Sequence, residues 1–574
     1  MSKTRGFAPQ VEWNTVNWRK LEQTVFKLQK RIYQASQRGD VSVVRKLQKT
    51  LMKSWSAKMI AVRKVTQHNK GKKTAGIDGK KALTNRQRLD LVASLKIYRK
   101  PQPTRRVWIP KPGKTEKRPL GIPTIYDRAL QALAKQTLEP EWEAIFEANS
   151  YGFRPGRSCH DAIGAIYCSI NKKPKWVLDA DISKCFDKIN HNALLTKLNT
   201  YPSMRRLVKQ WLNAGVMDKG TFSPTEEGTP QGGIISPLLA NIALHGMENR
   251  IKEFAGSLPG EKQKNKKALT FIRYADDFVI LHKDQEVVEE CQRIIEVWLK
   301  DIGLELKPSK TQITHTFDGF DFLGFNIRQH KVGKNWSKQG FKTLIKPSER
   351  KVKEYYERLA KVIDRHKAAP QSALIKHLKP IIRGWCNYYS AVVSKKTYSK
   401  MDKLLWNKLQ RWGYRRHPNK SKTWVNKKYW GTKVEKPKKP WDAPKIDNWV
   451  FMTKEDNYLP KHAKTPIVRH IKVKDIRSPF DGDLIYWSTR MQKHPEMTSS
   501  LGRLLKRQKG KCAHCGLTFR TEDLLEIHHI KPRSLGGSNL DKNLELLHLH
   551  CHDEKHGKKI NSNELDNNPL MRYQ

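Results

Sequence analysis

Residues 270–281 are Thr-Phe-Ile-Arg-Tyr-Ala-Asp-Asp-Phe-Val-Ile-Leu. Two apolar runs flank the adjacent carboxylates Asp276 and Asp277, which predicts a β-hairpin with both carboxylates at its turn. A second strand-like run, Trp176-Val-Leu-Asp-Ala-Asp-Ile182, also ends in carboxylates, and Asp181 is the candidate to join the pair. Carboxylates on adjoining strands suit Mg²⁺, which takes hard oxygen ligands. Nucleotidyl transfer uses two such ions about 3.5–4 Å apart, at the attacking 3′-hydroxyl and the leaving pyrophosphate. Adjacent Asp residues also occur in ordinary turns, so the surrounding sequence has to decide.

The charge balance points the same way. Lys and Arg number 112 against 55 Asp and Glu, a formal net charge of +57 over 574 residues. An excess this large repels itself unless a polyanion neutralises it; nucleic acid is the first candidate and a membrane surface the weaker one. Seventeen Trp and 17 Tyr lie among these cations, a mixture that suits base stacking. No apolar run approaches the ~20 residues of a membrane span. The start, Met-Ser-Lys-Thr-Arg-Gly, has no apolar segment of a signal peptide, so no secretion and no membrane partner is expected. Eight Cys in a chain this long are not a disulfide framework, which fits a reducing, cytoplasmic compartment.

Leu21, Val25, Leu28 and Ile32 recur at helical spacing, with Gly39 as a stop. Val287, Val288, Cys291, Ile294, Ile295, Trp298 and Ile302 form one helical stripe ended by Gly303. Pro259 to Lys267 is polar and basic and predicts an exposed loop insertion. From 346 to about 430 the pattern is helical and basic, with Val352, Tyr355, Tyr356, Leu359, Val362 and Ile363 on one face. Lys436 to Trp441 suggests a poorly packed connector or binding surface.

Several blocks occur in a fixed order: Ile109-Pro-Lys, Arg118-Pro-Leu-Gly-Ile-Pro, Ser150-Tyr-Gly-Phe-Arg-Pro-Gly-Arg, Asp181-Ile-Ser-Lys-Cys-Phe-Asp, Thr229-Pro-Gln-Gly-Gly-Ile-Ile-Ser-Pro, Tyr274-Ala-Asp-Asp, Leu306-Lys-Pro-Ser-Lys-Thr and Phe322-Leu-Gly-Phe. This ordered set resembles the polymerase region of the reverse transcriptases encoded by bacterial and organellar group II introns. The resemblance implies a multidomain α/β chain with right-hand polymerase fingers and palm. It assigns Asp181, Asp276 and Asp277 to two Mg²⁺ ions. It gives Lys111 and Arg118 to the phosphates of the incoming dNTP, as suits a point-charge ammonium and a bidentate guanidinium. Phe186 matches the aromatic that excludes a 2′-hydroxyl, Gln231 a nucleotide contact from a tight turn, and Lys310 a lysine near the phosphates.

Residues 379–389, Lys-Pro-Ile-Ile-Arg-Gly-Trp-Cys-Asn-Tyr-Tyr, resemble the thumb or maturase signature of the same family. An aromatic-basic helical surface can stack bases and pair phosphates, so Arg383, Trp385, Tyr388 and Tyr389 become nucleic-acid-binding candidates; helix packing by the three aromatics is the alternative. The resemblance implies binding of the intron RNA and help with its splicing.

Near the C-terminus, Cys512-Ala-His-Cys515 and His548-Leu-His-Cys551 have the spacing of a structural Zn²⁺ site, in which His548 or His550 supplies the fourth ligand. Between them stand His528, His529, Gly536, Gly537 and Asn543; after them His552 and His556 are four apart, on one helical face. This pattern resembles the HNH, or ββα-metal, nucleases. By that resemblance His528, His552 and His556 hold a catalytic Mg²⁺ or Mn²⁺, His529 is the general base, and Asn543 orients it through a backbone contact.

The expected organisation is a helical extension (1–60), fingers and palm (61–345), thumb or maturase domain (346–430), basic DNA-binding region (431–497) and HNH module with its zinc (498–574). The expected activity joins RNA-directed DNA synthesis, intron RNA binding and splicing assistance, and nicking of target DNA. Two rivals are a reverse transcriptase of a defence or diversity-generating system and a splicing-only maturase. The fused HNH pattern opposes the first, and the intact Asp181, Asp276 and Asp277 oppose the second.

Overall fold

The computed structural model describes residues 12–110, 116–435, 445–491, 494, 497, 499–520 and 523–556. Those within 1–315, 472–492 and 499–562 pack as one unit, and those within 316–471 and 493–498 as another.

In the first unit, Asn17 caps helix α1 (Trp18–Gln37) by accepting from Lys20 N. Leu21, Val25 and Ile32 are its buried face. Helices α2 (Val41–Lys53) and α3 (Trp55–Arg63), capped by Asp40 and Ser54, complete the extension. Strands β1 (Thr104–Pro110) and β2 (Lys117–Ile122) form an antiparallel finger hairpin; Lys111 lies outside the described residues. The long helix α4 (Ile125–Ile145) packs beneath the extension. Helix α5 (Cys159–Ile170) opens with a capping box of Ser158 and Asp161.

The palm sheet is built from β3 (Trp176–Asp181), β4 (Thr270–Tyr274), β5 (Asp277–His282) and β6 (Gln312–His315). Its order is β4-β5-β3-β6, every pair antiparallel. Phe278 to Leu281 are all fully buried, which is why β5 is continuously apolar rather than alternating. Helix α6 (Gln285–Lys300) buries Val288, Cys291, Ile295 and Leu299, and Gly303 follows with φ +77°. Residues 262–268 are helical, not the loop that their composition predicts. No residue of that helix is buried; its ends are held by Asn265 Nδ2 donating to Leu258 O and Lys252 Nζ donating to Lys266 O.

In the second unit, β7 (Phe320–Phe322), β8 (Phe325–Lys331) and β9 (Phe341–Pro347) make a three-stranded antiparallel sheet. Helices α7 (Glu349–Arg365), α8 (Gln371–Tyr389) and α9 (Lys395–Arg416) follow. A hairpin of β10 (Trp430–Glu435) and β11 (Lys445–Phe451) comes next, unforeseen from composition; the Lys436–Trp441 stretch lies outside the described residues.

The chain ends in the first unit with α10 (Leu484–Met491), α11 (Ser499–Arg507), and a ββα element of β12 (Leu525–His529), β13 (Leu544–His548) and α12 (Leu549–Lys555).

Candidate functional sites

The antiparallel register puts Asp181, the last residue of β3, directly opposite Asp277, the first of β5. Ala275 and Asp276 form the two-residue turn between β4 and β5, so Asp277 belongs to the strand and only Asp276 to the turn. One carboxylate oxygen from each of the three lies within 4.8 Å of the others. Burial pushes the Asp277 carboxyl up to about 8, helped by Asp276 and Asp181. Burial raises Asp276 too, and Asp181 adds to the effect. Three hard oxygen donors crowded this closely are a donor set that a divalent cation satisfies.

The turn is braced from behind. Ala275 has φ +58°, and its carbonyl accepts from the fully buried Arg273 at 3.2 Å. Arg273 also donates to Asn241 Oδ1 at 3.1 Å, and Asn241 Nδ2 donates to Gly152 O at 2.8 Å. A Cβ on Gly152 would sit 2.3 Å from Ala275 N, so the Tyr-Gly-Phe block is glycine there because the turn lies against it.

The other candidates stand around the triad. Lys310 Nζ is 2.6 Å from Asp181 Oδ2. Arg118 is exposed on β2, and its charge opposes the rise at Asp276. Gln231 Nε2 donates to Asp187 Oδ1 at 3.1 Å, while Gln231 O accepts from Gly121 N at 2.7 Å. The Arg118 block and the Pro-Gln-Gly-Gly turn therefore meet at Gly121. Phe186 is half-buried, edge-on to Phe153 with centroids 5.9 Å apart.

In the second unit the aromatic candidates engage in packing. Trp385 stacks on Tyr355 with centroids 4.2 Å apart. Tyr388 stacks on Phe325 and donates to Leu323 O; the buried Tyr389 donates to Gly324 O. Within this unit Trp385 packs α8 against α7, while Tyr388 and Tyr389 hold it to the β7–β8 turn. Arg383, exposed on the same helix, remains available to a phosphate.

The ββα element gathers two groups. Cys512, Cys515, His548 and Cys551 are all buried with ligand atoms within 4.8 Å of one another. His548 Nδ1 lies 3.3 Å from Cys515 Sγ, whereas His550 stacks on His548 outside the group, so His548 is the imidazole of this donor set. Three thiols and an imidazole are a tetrahedral Zn²⁺ set. His528, His552 and His556 form the second group. His528 is buried, and burial lowers its pKa. His529 is not in that group; its Nε2 is 2.8 Å from Asn539 Oδ1. Asn543 ties down the chain after His529: its carbonyl accepts from Ile530 N, its Oδ1 from Lys531 N, and its Nδ2 donates to Lys531 O and Ser538 O. The ring's own partner, Asn539, escapes sequence reasoning; its only signal is its place in the polar loop after Gly536-Gly537.

Family models match four stretches of the chain: an N-terminal domain of reverse transcriptase at residues 13–95, a reverse transcriptase (RNA-dependent DNA polymerase) at 109–327, a group II intron maturase-specific domain at 352–430 and an HNH endonuclease at 512–558. Protein YkfC of Escherichia coli is 35% identical over 304 residues, 46% of this chain and 78% of that one. The chain belongs to the group II intron-encoded reverse transcriptase family. Another relative, the group II intron-encoded protein LtrA of Lactococcus lactis subsp. cremoris, is 33% identical over 333 residues, 46% of this chain and 54% of LtrA. The chain thus matches about half the length of LtrA. As a group II intron-encoded reverse transcriptase, it joins polymerase, maturase and HNH endonuclease domains in one polypeptide. Among the described residues, no helix is long and apolar enough to cross a membrane.

Proposed function

We propose that the protein binds its intron RNA, assists its splicing, nicks one strand of a target DNA, and extends the new 3′ end by copying the RNA. The observation that carries this reading is the convergence of Asp181, Asp276 and Asp277 within 4.8 Å, on a chain whose C-terminal module gathers three histidines beside a Cys₃His set.

Asp181, Asp276 and Asp277 would hold two Mg²⁺ ions, which supply activation of the 3′-hydroxyl and charge neutralisation on the leaving pyrophosphate. Lys310 and Arg118 bring positive charge to the triphosphate, and the family resemblance gives Lys111 the same role. Gln231, with its amide held by Asp187, presents its turn to the nucleotide. Phe186 bars a 2′-hydroxyl and so selects dNTPs.

In the nuclease module, His528, His552 and His556 would hold Mg²⁺ or Mn²⁺, which supplies charge stabilisation at the cleaved phosphodiester. His529 takes the proton of the attacking water. With its Nε2–H donating to Asn539, the basic lone pair is on Nδ1. Cys512, Cys515, His548 and Cys551 hold a structural Zn²⁺, and that metal supplies much of the folding energy of so small a module.

The net charge of +57 fits an RNA partner, with Arg383 among the phosphate contacts. We place the protein in the cytoplasm, on the nucleoid when bound to DNA, or in an organelle of corresponding chemistry. The test is binding of the intron RNA against an unrelated RNA over a salt series. Affinity falls steeply with salt because counterions are released, and the cognate RNA is preferred at every salt. Equal affinity for both RNAs removes the maturase function and leaves a basic polymerase.

A further inference from the structure

Residues 472–491 lie in the first unit, packed on the corner that leads into α5. Asp161, fully buried, accepts from Ser158 N at 2.9 Å, from Val473 N at 2.8 Å and from Arg490 Nη2 at 2.5 Å. Arg490 Nη1 donates to Gly156 O at 2.7 Å. Arg157 Nη2 donates to the carbonyls of Asp475 and Arg477 at 3.1 and 3.2 Å. Gly156 has φ +71°, and a Cβ there would stand 2.5 Å from Cζ3 of Trp487, itself only 3% exposed.

The Arg-Pro-Gly-Arg block of the polymerase thus ends in a socket for Trp487 and Arg490. The Arg490–Asp161 pair is nearly solvent-free, with side chains 10% and 0% exposed. Separating such a pair strands a buried charge, so this contact holds as a specific lock and not as a sliding surface.

The same short helix grips the nuclease module on its other side. Ser488, fully buried, lies where a Cβ on Gly510 would meet its Oγ at 2.3 Å. Gly510 stands two residues before the zinc ligand Cys512. A second, independent contact joins the module to the N-terminal extension. The Arg520 guanidinium lies over the Phe26 ring at 5.0 Å and 3.9 Å from Glu22 Oε2.

We propose that residues 472–491 are a latch that mounts the nuclease module on the polymerase, so that the DNA end made by one is extended by the other without release. The coupling rests on the reading of both modules as active. A loose tether would leave delivery of the 3′ end to diffusion within the tether's reach, whereas a mount sets one path for it.

The test uses the full chain bound to its intron RNA, with Trp487→Ala and Arg490→Ala. Both changes lie on the latch, so the polymerase corner keeps its own residues. Four quantities are read: protease cleavage between residues 472 and 511, nicking of DNA carrying the intron's insertion junction, extension of a supplied primer, and extension of the nicked strand against excess competitor primer–template. Cleavage should speed up by at least ~10-fold, since it tracks the open population. Trp487 is 3% exposed and the Arg490 side chain 10%, so neither offers a surface to DNA; nicking and supplied-primer extension should be unchanged, while nick-primed product is lost to the competitor. Unchanged cleavage in both variants overturns the latch. So does loss of supplied-primer extension, which would make 472–491 part of the polymerase fold. Faster cleavage with competitor-resistant extension overturns the coupling. A wild-type protein that neither nicks nor extends overturns the functional reading and the coupling with it, and the protease comparison still decides the latch.

Discussion

Asp181 and Asp277 face each other as directly paired residues of neighbouring antiparallel strands, and Asp276 closes the cluster from the adjacent turn. The geometry therefore depends on one register and one tight turn. A slip of a single residue would send Asp277 to the other face of the sheet.

Gly152 should be intolerant of any side chain. In Gly152→Ala the new Cβ would lie 2.3 Å from Ala275 N and 2.9 Å from Tyr274 C, both backbone atoms, so the turn must move. A displacement on the order of 1 Å at a positioned site costs about 10²-fold in rate. Primer extension under single-turnover conditions measures it, and a wild-type rate would show that the turn is not held by this contact.

Phe186→Ala should raise ribonucleotide incorporation relative to deoxynucleotide. The ring is half-buried and edge-on to Phe153, so part of it is open to a sugar. Steric discrimination by one side chain is worth roughly 10–200-fold, and competition between labelled rNTP and dNTP reads it directly. An unchanged ratio with activity retained would reduce Phe186 to core packing.

These two positions show what the sequence reveals. Asp181, Asp276 and Asp277 are legible because they stand at the ends of apolar runs: Asp181 closes β3, Asp276 lies in the turn and Asp277 opens β5. The three cysteines are legible from their spacing and the His528, His552 and His556 group from the resemblance to HNH nucleases, whereas the choice between His548 and His550 depends on the fold. Asn539 is not, because its bond to His529 depends on the path of the 530–543 loop. The helix at 262–268 is invisible because a lysine-rich stretch has no apolar period; it is held by Lys252 and Asn265. The neighbours of Tyr388 and Tyr389 are not legible, because an aromatic that stacks on a base and one that packs on Phe325 are the same letter.

His282, the last residue of β5, is buried, and burial lowers its pKa below the ordinary histidine value of 6.5. The folded palm therefore binds a proton less readily than the unfolded chain. Stability is fully present above pH 6.5 and should fall as the pH drops below it, by at most about 1.4 kcal/mol per pH unit from this group. Chemical denaturation between pH 5 and 8 should show a shallower acid limb for His282→Gln. Identical limbs would place the acid sensitivity in other groups.

Asn539→Ala should release the His529 ring without removing it. Loss of an orienting partner typically costs ~10–100-fold, less than loss of the base itself. The nicking rate should fall in that range, because the ring has lost the acceptor of its Nε2–H. A strand-specific nicking assay tests this; a wild-type rate would leave Asn539 a loop residue only.

Two separate active sites on one chain should be separable by crossed inactivation. Asp276→Asn removes one ligand charge from the triad, and His529→Ala removes the proposed base. Both proteins are assayed, side by side, for nicking of target DNA and for extension of a supplied primer on an RNA template. Asp276→Asn should lose extension by on the order of 10³-fold and keep nicking. His529→Ala should lose nicking by ~10²–10⁴-fold and keep extension. Wild-type extension by Asp276→Asn, wild-type nicking by His529→Ala, or loss of both activities in either variant would contradict the two-site reading.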